Sequence, residues 1–196
     1  TMALAVCATA ITVPFAVLAA KFYKATRAKV LVVFLMLSPL FVPADIFGAA
    51  LLVYFKNLNK TFTALGDVLG VDWMDTWFDL GFSSALIGQI IYTTPYAFIV
   101  VLITMGRYRQ EQTEAARACG ASAWRAFRDI EFPQIRPGVF SACAFCIILC
   151  FNEYTRTSLL KGGFDTFTTV LVSQMLNEGM SEQSYAMSSV VSFVAI

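Results

Sequence analysis

The sequence predicts an all-α membrane protein with about five membrane-spanning helices in this chain. Hydrophobic residues make up 58% of its 196 residues, charged residues make up 14%, and the mean hydropathy is +0.70. A soluble globular domain carries about 25% charged residues, so the composition favours a membrane class. Five apolar runs follow one another along the chain, and they cover residues 2–20, 30–55, 80–105, 138–151 and 186–196.

The first run, Met2–Ala20, has 19 residues without a charge, close to the roughly 20 that a spanning helix needs. Basic residues such as Lys21 and Lys24 come after it, whereas a signal peptide carries its positive charges before the apolar region. The run is therefore predicted to be a true span with a cytoplasmic end. Because the chain starts in an apolar run and the last run stops after 11 residues, we expect residues 1–196 to form one membrane domain that lacks its first helix and part of its last.

The second run, Val30–Phe55, is interrupted by Pro39, Pro43 and Asp45. Proline in a membrane helix frees backbone carbonyls, which is tolerated where the helix lines protein or a water-filled cavity. Asp45 is therefore predicted to face a cavity on the solute pathway. The alternative is a carboxylate at a helix end that reaches the membrane interface, because Lys56 follows soon after it.

The third run, Leu80–Met105, contains Gln89, an amide that we expect to form a hydrogen bond with another helix. The fourth run, Gly138–Phe151, has 14 residues, too few to cross a bilayer. We therefore expect its helix to continue past the run and to hold polar side chains within the outer half of the membrane, where an ionisable residue indicates a functional site. These candidate solute-pathway residues are Asn152, Glu153, Tyr154 and Arg156.

The basic residues are concentrated in alternate loops, and this orients the chain. Ala20–Lys29 carries four Lys or Arg and no acid, and Gly106–Pro137 carries six Arg and four acids, so ten of the fourteen basic residues lie on one side. The positive-inside rule places that side in the cytoplasm.

The segments on the other side are then external. In loop 56–79, Trp73 and Trp77 predict a short helix at the membrane interface, and the alternative is a solvated lid without fixed structure. The apolar segment Thr166–Asn177 has only twelve residues, which predicts an interfacial or re-entrant piece.

Several classes of function are disfavoured by composition. The chain has no His, which removes the usual proton shuttle and the commonest metal ligand, and its net charge of +1 argues against a nucleic-acid partner. Cys143, Cys146 and Cys150 form one stripe on the fourth helix, and we expect them to pack helix against helix and to bind no metal.

The segment between the third and fourth runs predicts two short helices joined by a tight turn. Gln110–Cys119 is rich in the helix formers Glu, Gln, Ala and Arg, and Gly120 fits the left-handed position just past a helix end. Ser122 can cap a second helix, Ala123–Glu131, and Pro133 is expected to stop that helix.

This segment resembles the EAA signature of the membrane subunits of type I bacterial ABC importers. The residues that match the family's pattern and spacing are Glu114, Ala115, Ala116, Gly120, Ile130 and Pro133. Phe132 stands where the family has Leu, a change that keeps an apolar side chain. The resemblance covers nearly the whole chain and implies the MetI-like transmembrane fold, with residues 110–133 as a cytoplasmic coupling segment.

The resemblance implies that the coupling segment sits in a groove of a separate ATPase subunit. Glu114, Ala116 and Gly120 would shape the turn, and Ala121–Phe127, including Trp124, would enter the groove. The chain has no GxxxxGK[ST] phosphate-binding motif, so the partner ATPase dimer would hold ATP and Mg²⁺ and this chain would bind no cofactor. The alternative is a surface helix that only ties two spans together.

Further partners are implied by the same resemblance. They are a second membrane subunit that is a different chain, a periplasmic or lipid-anchored solute-binding protein, and membrane lipid. The chain would cross the bacterial inner membrane several times and transport its solute by alternating access.

Within the family, the likeness is greatest to the second membrane subunit of spermidine/putrescine importers. Two acidic residues favour a cationic solute in those relatives, at the position where this chain has Asn152 and Glu153, so one carboxylate is replaced by an amide. Arg156 is spaced to form an ion pair with Glu153, and this pairing and direct solute contact both remain open. A neutralised Glu153 would weaken the preference for a polyamine and favour a zwitterion or another small polar solute.

Other functions remain as alternatives to this prediction of a transport subunit. The importer could take a different solute class such as a sugar, an amino acid or an anion. A membrane-embedded enzyme would need a convergent acid–base or nucleophile set, and only Asp45, Glu153 and the cysteines are available for it. A channel would leave the coupling segment unexplained.

Overall fold

A computed structural model describes residues 1–70, 79–179 and 181–195, and within these ranges the chain forms ten α-helices and no strand. The helices are α1 (Met2–Ala25), α2 (Lys29–Leu37), α3 (Ala44–Leu69), α4 (Phe82–Arg107), α5 (Gln110–Ala118), α6 (Ala123–Ala126), α7 (Phe132–Asn152), α8 (Thr155–Leu160), α9 (Phe167–Glu178) and α10 (Glu182–Ala195). A 3-10 turn, Ser38–Phe41, follows α2, and a π-helical segment, Phe127–Glu131, joins α6 to α7.

Helices α1, α4 and α7 form the core of the bundle. Their contact surfaces are built largely from small residues: Ala16, Ala97 and Ala142 are completely buried, one from each helix. At Gly138 of α7 an added Cβ would collide with the Thr104 side chain of α4. Small side chains let membrane helices approach closely, and this packing positions the two regions described below.

Contacts along the three helices fix their directions. Helices α1 and α4 run parallel, because Thr12 bonds Thr93 through their hydroxyls at 3.1 Å and Lys24 Nζ donates to the Tyr108 carbonyl at 3.0 Å. Helix α7 runs antiparallel to both, because Glu131 at its beginning contacts Lys21 near the end of α1. The two basic loops therefore lie at the same end of the bundle.

Three helices are long and apolar enough to cross a membrane, namely α1, α4 and the continuous stretch Ala123–Asn152, and α2 with α3 makes a fourth if the bent pair counts as one span. This pair bends by 95° at the break between Phe41 and Ala44, where the prolines interrupt the second predicted run. Helix α10, the fifth predicted span, has 14 residues.

The first part of loop 56–79 is helical, which the apolar pattern did not predict, and the external position of the loop stays a prediction. Helix α3 continues to Leu69 and ends at Gly70, whose φ is +68°. Trp73 and Trp77, on which the interfacial helix was predicted, lie outside the described residues. The twelve-residue segment predicted at Thr166–Asn177 forms a single short helix, α9, capped by Thr166; its external position stays a prediction.

Pro133 was predicted to stop a helix, and it does not. The Phe132 N–H bonds the Phe127 carbonyl five residues back, so the chain passes through a π-helical turn before Pro133. Proline then occupies the first turn of α7, where its missing N–H breaks no bond.

This continuity also overturns the predicted extension of the fourth span. The stretch Ala123–Asn152 has 30 residues, so the span reaches membrane length at its beginning and needs no addition at its end. Helix α7 stops at Asn152, Glu153 is extended with ψ of 113°, and Arg156 belongs to the separate short helix α8.

Candidate functional site

The turn of the coupling segment has the geometry that its glycine predicts. Gly120 has φ of +89°, its N–H bonds the Arg117 carbonyl at 3.0 Å, and the Ala121 N–H bonds the Ala116 carbonyl at 3.0 Å. This pair of bonds is a Schellman motif, which satisfies the last carbonyls of α5. The predicted end of the first helix is therefore confirmed.

The second piece of the segment begins at its predicted cap, because the Arg125 N–H donates to the Ser122 hydroxyl at 3.2 Å. Trp124 is 68% exposed and projects from the bundle. Phe127 is half-buried instead, packed between the rings of Trp124 and Phe132 at centroid distances of 5.7 and 6.0 Å. Phe127 thus supports the segment from the bundle side.

The other residues of the predicted coupling set lie along the same surface. Ala116, Ala121 and Ile130 are half-buried. The exposed members are Glu114, Ala115, Gly120 and Pro133. The Glu114 carboxylate accepts a hydrogen bond from the Gln110 amide at 3.0 Å, a local contact within α5.

An ion pair that the sequence did not predict ties this segment to α1. Lys21 Nζ lies 2.8 Å from Glu131 Oε2, and the same ammonium lies 4.3 Å from the centroid of the Phe127 ring. The Glu131 side chain is 8% exposed. In the sequence, Glu131 is only an acid at a position that the motif leaves variable. Its partner Lys21 lies more than a hundred residues earlier, so no local pattern predicts the pair.

A second connection joins α5 to the ends of the spans. The hydroxyls of Tyr108 and Thr113 are hydrogen-bonded, and Gln134 Nε2 donates to Gln112 Oε1 at 2.7 Å. Helix α5 is therefore held by side chains to the residue that follows α4 and to the first turn of α7.

The second region is centred on the pair Glu153–Arg156, which the structure forms. Glu153 Oε1 accepts hydrogen bonds from the Arg156 backbone N–H at 2.9 Å and from Nε at 3.0 Å, and Oε2 accepts from Nη2 at 2.7 Å. Both residues are buried, at 7% and 8% exposure. All three of these hydrogen bonds come from Arg156, one from its backbone and two from its guanidinium.

A cleft of about 320 Å³ opens beside Arg156, where the guanidinium carbon lies 3.9 Å from the centroid of the Tyr92 ring. The cleft is lined by Pro39, Leu40, Val42, Pro43, Ala44, Tyr92, Tyr96 and Arg156. It therefore joins the break between α2 and α3 to the middle of α4. Tyr92 and Tyr96, which the sequence reasoning missed, are one helical turn apart on either side of Thr93–Pro95.

The remaining predicted pathway residues are not among the lining residues of this cleft. Asp45 is exposed in the first turn of α3, next to the lining residue Ala44. Asn152 is exposed at the end of α7, and Tyr154 is half-buried between α7 and α8.

Two predictions about the span interiors are confirmed. Gln89 donates from Nε2 to the Thr157 hydroxyl at 2.8 Å, a bond between α4 and α8. Cys146 is completely buried in the α1–α4–α7 core, and the cysteines of the described chain are free thiols.

The apolar helical bundle is that of a multi-pass membrane component. Residues 12–196 match the family of binding-protein-dependent transport system inner membrane components, and the chain belongs to this family. The resemblance inferred from the coupling segment and the predicted fold class, an all-α type I importer transmembrane domain, are both confirmed. The family also agrees with the prediction of a transport subunit that is not itself an enzyme.

Individual relatives are distant. A spermidine/putrescine transport system permease protein PotC homolog of Mycoplasma genitalium is 26% identical over 124 residues, 63% of this chain and 43% of that protein. A probable ABC transporter permease protein, y4oQ, of Sinorhizobium fredii is 25% identical over 166 residues, 83% of this chain and 53% of that protein. A thiamine transport system permease protein, ThiP, of Salmonella typhimurium is 26% identical over 132 residues, 67% of this chain and 24% of that protein. The chain thus spans about half or less of these relatives.

Proposed function

We propose that this chain is the permease part of an ATP-driven importer that moves a small polar solute across the bacterial inner membrane by alternating access. Residues 110–133 serve as its cytoplasmic coupling segment, and a partner ATPase dimer holds ATP and Mg²⁺. A second membrane subunit of different sequence and a solute-binding protein complete the complex.

The observation that carries this proposal is the exposed turn at Gly120 and the aromatic side chain beside it. Trp124 is 68% exposed on a segment whose other side is fastened to the bundle through Glu131 and Gln134. A large exposed aromatic on a rigid polar turn is typical of a residue that enters a groove on another protein. Within the predicted coupling set, the turn and Trp124 face outward. Phe127 is half-buried and packs against Trp124 from the bundle side.

Relatives named for polyamine and for thiamine transport share this family, so family membership leaves the solute open. The candidate solutes are polyamine-like amines and other small amines or zwitterions. The pair of Glu153 and Arg156 supports a zwitterion over a polyamine, because the carboxylate already accepts three hydrogen bonds from Arg156 and its charge is balanced by the guanidinium.

Co-purification tests the proposal. Trp124→Asp in the assembled complex is expected to lower the recovery of the ATPase subunit and to abolish transport. Leu176→Asp is the matched control, since Leu176 is 75% exposed on α9, outside the coupling segment. Full recovery of the ATPase and full transport with Trp124→Asp would contradict the coupling role.

A further inference from the structure

The guanidinium of Arg156 has donors that the chain does not use. An arginine side chain carries five N–H donors, and Glu153 accepts from two of them, one on Nε and one on Nη2. No other acceptor for this group occurs among the described residues, and one face of the group is covered by the Tyr92 ring. Nη1 has no bond within the described residues and is not fully enclosed by protein, so its donors are open to an acceptor in the cleft.

The cleft itself supplies no negative charge. Its lining consists of prolines, aliphatic side chains, two tyrosines and Arg156. The only acid that contacts Arg156 in the described chain is Glu153, and this carboxylate is already bound at both oxygens. Asp45, which follows the lining residue Ala44 in the sequence, is exposed and does not line the cleft. A polyamine in this cleft would therefore meet a guanidinium, and no carboxylate is among the lining residues.

We propose that this cleft contacts the transported solute and that Arg156 binds an oxygen acceptor group of it, such as a carboxylate, a phosphate or a hydroxyl. This inference rests on the proposed function. Glu153 orients the guanidinium and neutralises its charge, and the Tyr92 ring stacks against one face of it. The site thereby selects solutes rich in oxygen and disfavours polycations. Glu153 is a positioning residue that the solute does not contact.

The test uses the assembled complex with its ATPase and binding protein in proteoliposomes. Putrescine, spermidine, glycine betaine, sucrose, citrate and phosphate are each added as probes, and solute-stimulated ATP hydrolysis and uptake are measured. We expect an oxygen-bearing probe to stimulate hydrolysis and both polyamines to give no stimulation. The probe that stimulates hydrolysis shows whether Arg156 binds a carboxylate, a phosphate or a neutral hydroxyl.

Two variants then address the residues. Arg156→Lys keeps the charge but loses the planar fork, so the half-saturating concentration of the active probe should rise by about tenfold. The matched control is Arg136→Lys, an exposed arginine that also lies over an aromatic ring, Phe140 at 5.2 Å; its half-saturating concentration should equal that of the wild type. Glu153→Gln should still respond to the oxygen-bearing probe.

Each contrary outcome overturns the inference. The first is stimulation by a polyamine that Glu153→Gln abolishes. The second is a wild-type complex that hydrolyses ATP but responds to no oxygen-bearing probe. The third is an Arg156→Lys complex with the same half-saturating probe concentration as the wild type. If Arg156→Lys fails to assemble, the wild-type probes and Glu153→Gln decide. A wild-type preparation without a bound ATPase would instead count against the proposed function.

Discussion

Lys21 and Glu131 form an ion pair between the end of α1 and the beginning of the fourth span, with Nζ 2.8 Å from Oε2. The Glu131 side chain is buried, while the Lys21 side chain is 38% exposed and its ammonium lies over the Phe127 ring. The pair joins the coupling segment directly to a helix far away in sequence. A movement of the segment is therefore expected to reach α1 through this contact.

Breaking the pair should weaken the coupling of ATP hydrolysis to transport. Glu131→Gln is expected to lower solute-stimulated hydrolysis by about fivefold, equivalent to about 1 kcal/mol for a partly exposed pair. The exchange Lys21→Glu with Glu131→Lys should restore much of this loss, because the opposite charges meet again. The measurement is hydrolysis with and without solute in the reconstituted complex. A Glu131→Gln complex that couples normally, or an exchange that restores nothing, would exclude a transmitting role.

The backbone of the coupling turn can be tested separately from its side chains. An added Cβ at Gly120 would meet no other atom, but its φ of +89° is unfavourable for other residues. Gly120→Ala should therefore cost about 1–2 kcal/mol locally and reduce the recovery of the ATPase subunit. Gly106→Ala is the control, since its added Cβ also meets open space and it lies within α4. Equal ATPase recovery from both variants would show that the turn geometry is unimportant for docking.

The close approach of α4 and α7 at Gly138 predicts a strong packing effect. A side chain at this position would enter the space of Thr104 on α4, so Gly138→Val should separate the helices and reduce the yield of folded protein. Size-exclusion chromatography of detergent-solubilised protein measures this yield. Gly163→Val serves as the comparison, because nothing surrounds a Cβ there. Equal yields would contradict the packing.

The hydrogen bond between Gln89 and Thr157 predicts a double-mutant cycle. Each single change, Gln89→Leu or Thr157→Val, is expected to cost about 1 kcal/mol, because it leaves a polar partner buried between α4 and α8. The double variant should cost less than the sum of the two. Thermal unfolding in detergent measures the three variants, and strict additivity would show that the two side chains do not interact.

Much of the coupling segment was predictable because its signals are local. Gly120 and Ser122 act on backbone groups within three or four residues, so their effects could be inferred without knowledge of the fold. The prediction that Pro133 stops a helix was wrong because it used only this local information. Proline usually stops a helix, but a π-helical turn before it removed the bond that proline would have broken.

The solute region was only partly predictable. Spacing alone allowed Glu153 and Arg156 to pair, and the structure forms this pair. The helix break after Asn152 and the contact between Arg156 and Tyr92 depend on how α8 packs against α3 and α4, which no local pattern reports. Tyr92 and Tyr96 looked like ordinary aromatic residues of an apolar span until the break between α2 and α3 was seen to lie beside them.

The sequence by itself determined the membrane class, the positions of the main apolar spans, the cap residues of the coupling turn and the family, because hydropathy, charge and backbone preference act over short distances. Only the tertiary structure decided which distant residues meet: Lys21 with Glu131, and the tyrosines of α4 with Arg156. These contacts depend on the parallel packing of α1 and α4 and the antiparallel return of α7. Such packing is a property of the whole bundle, since small buried residues permit close approach without specifying which helices approach each other.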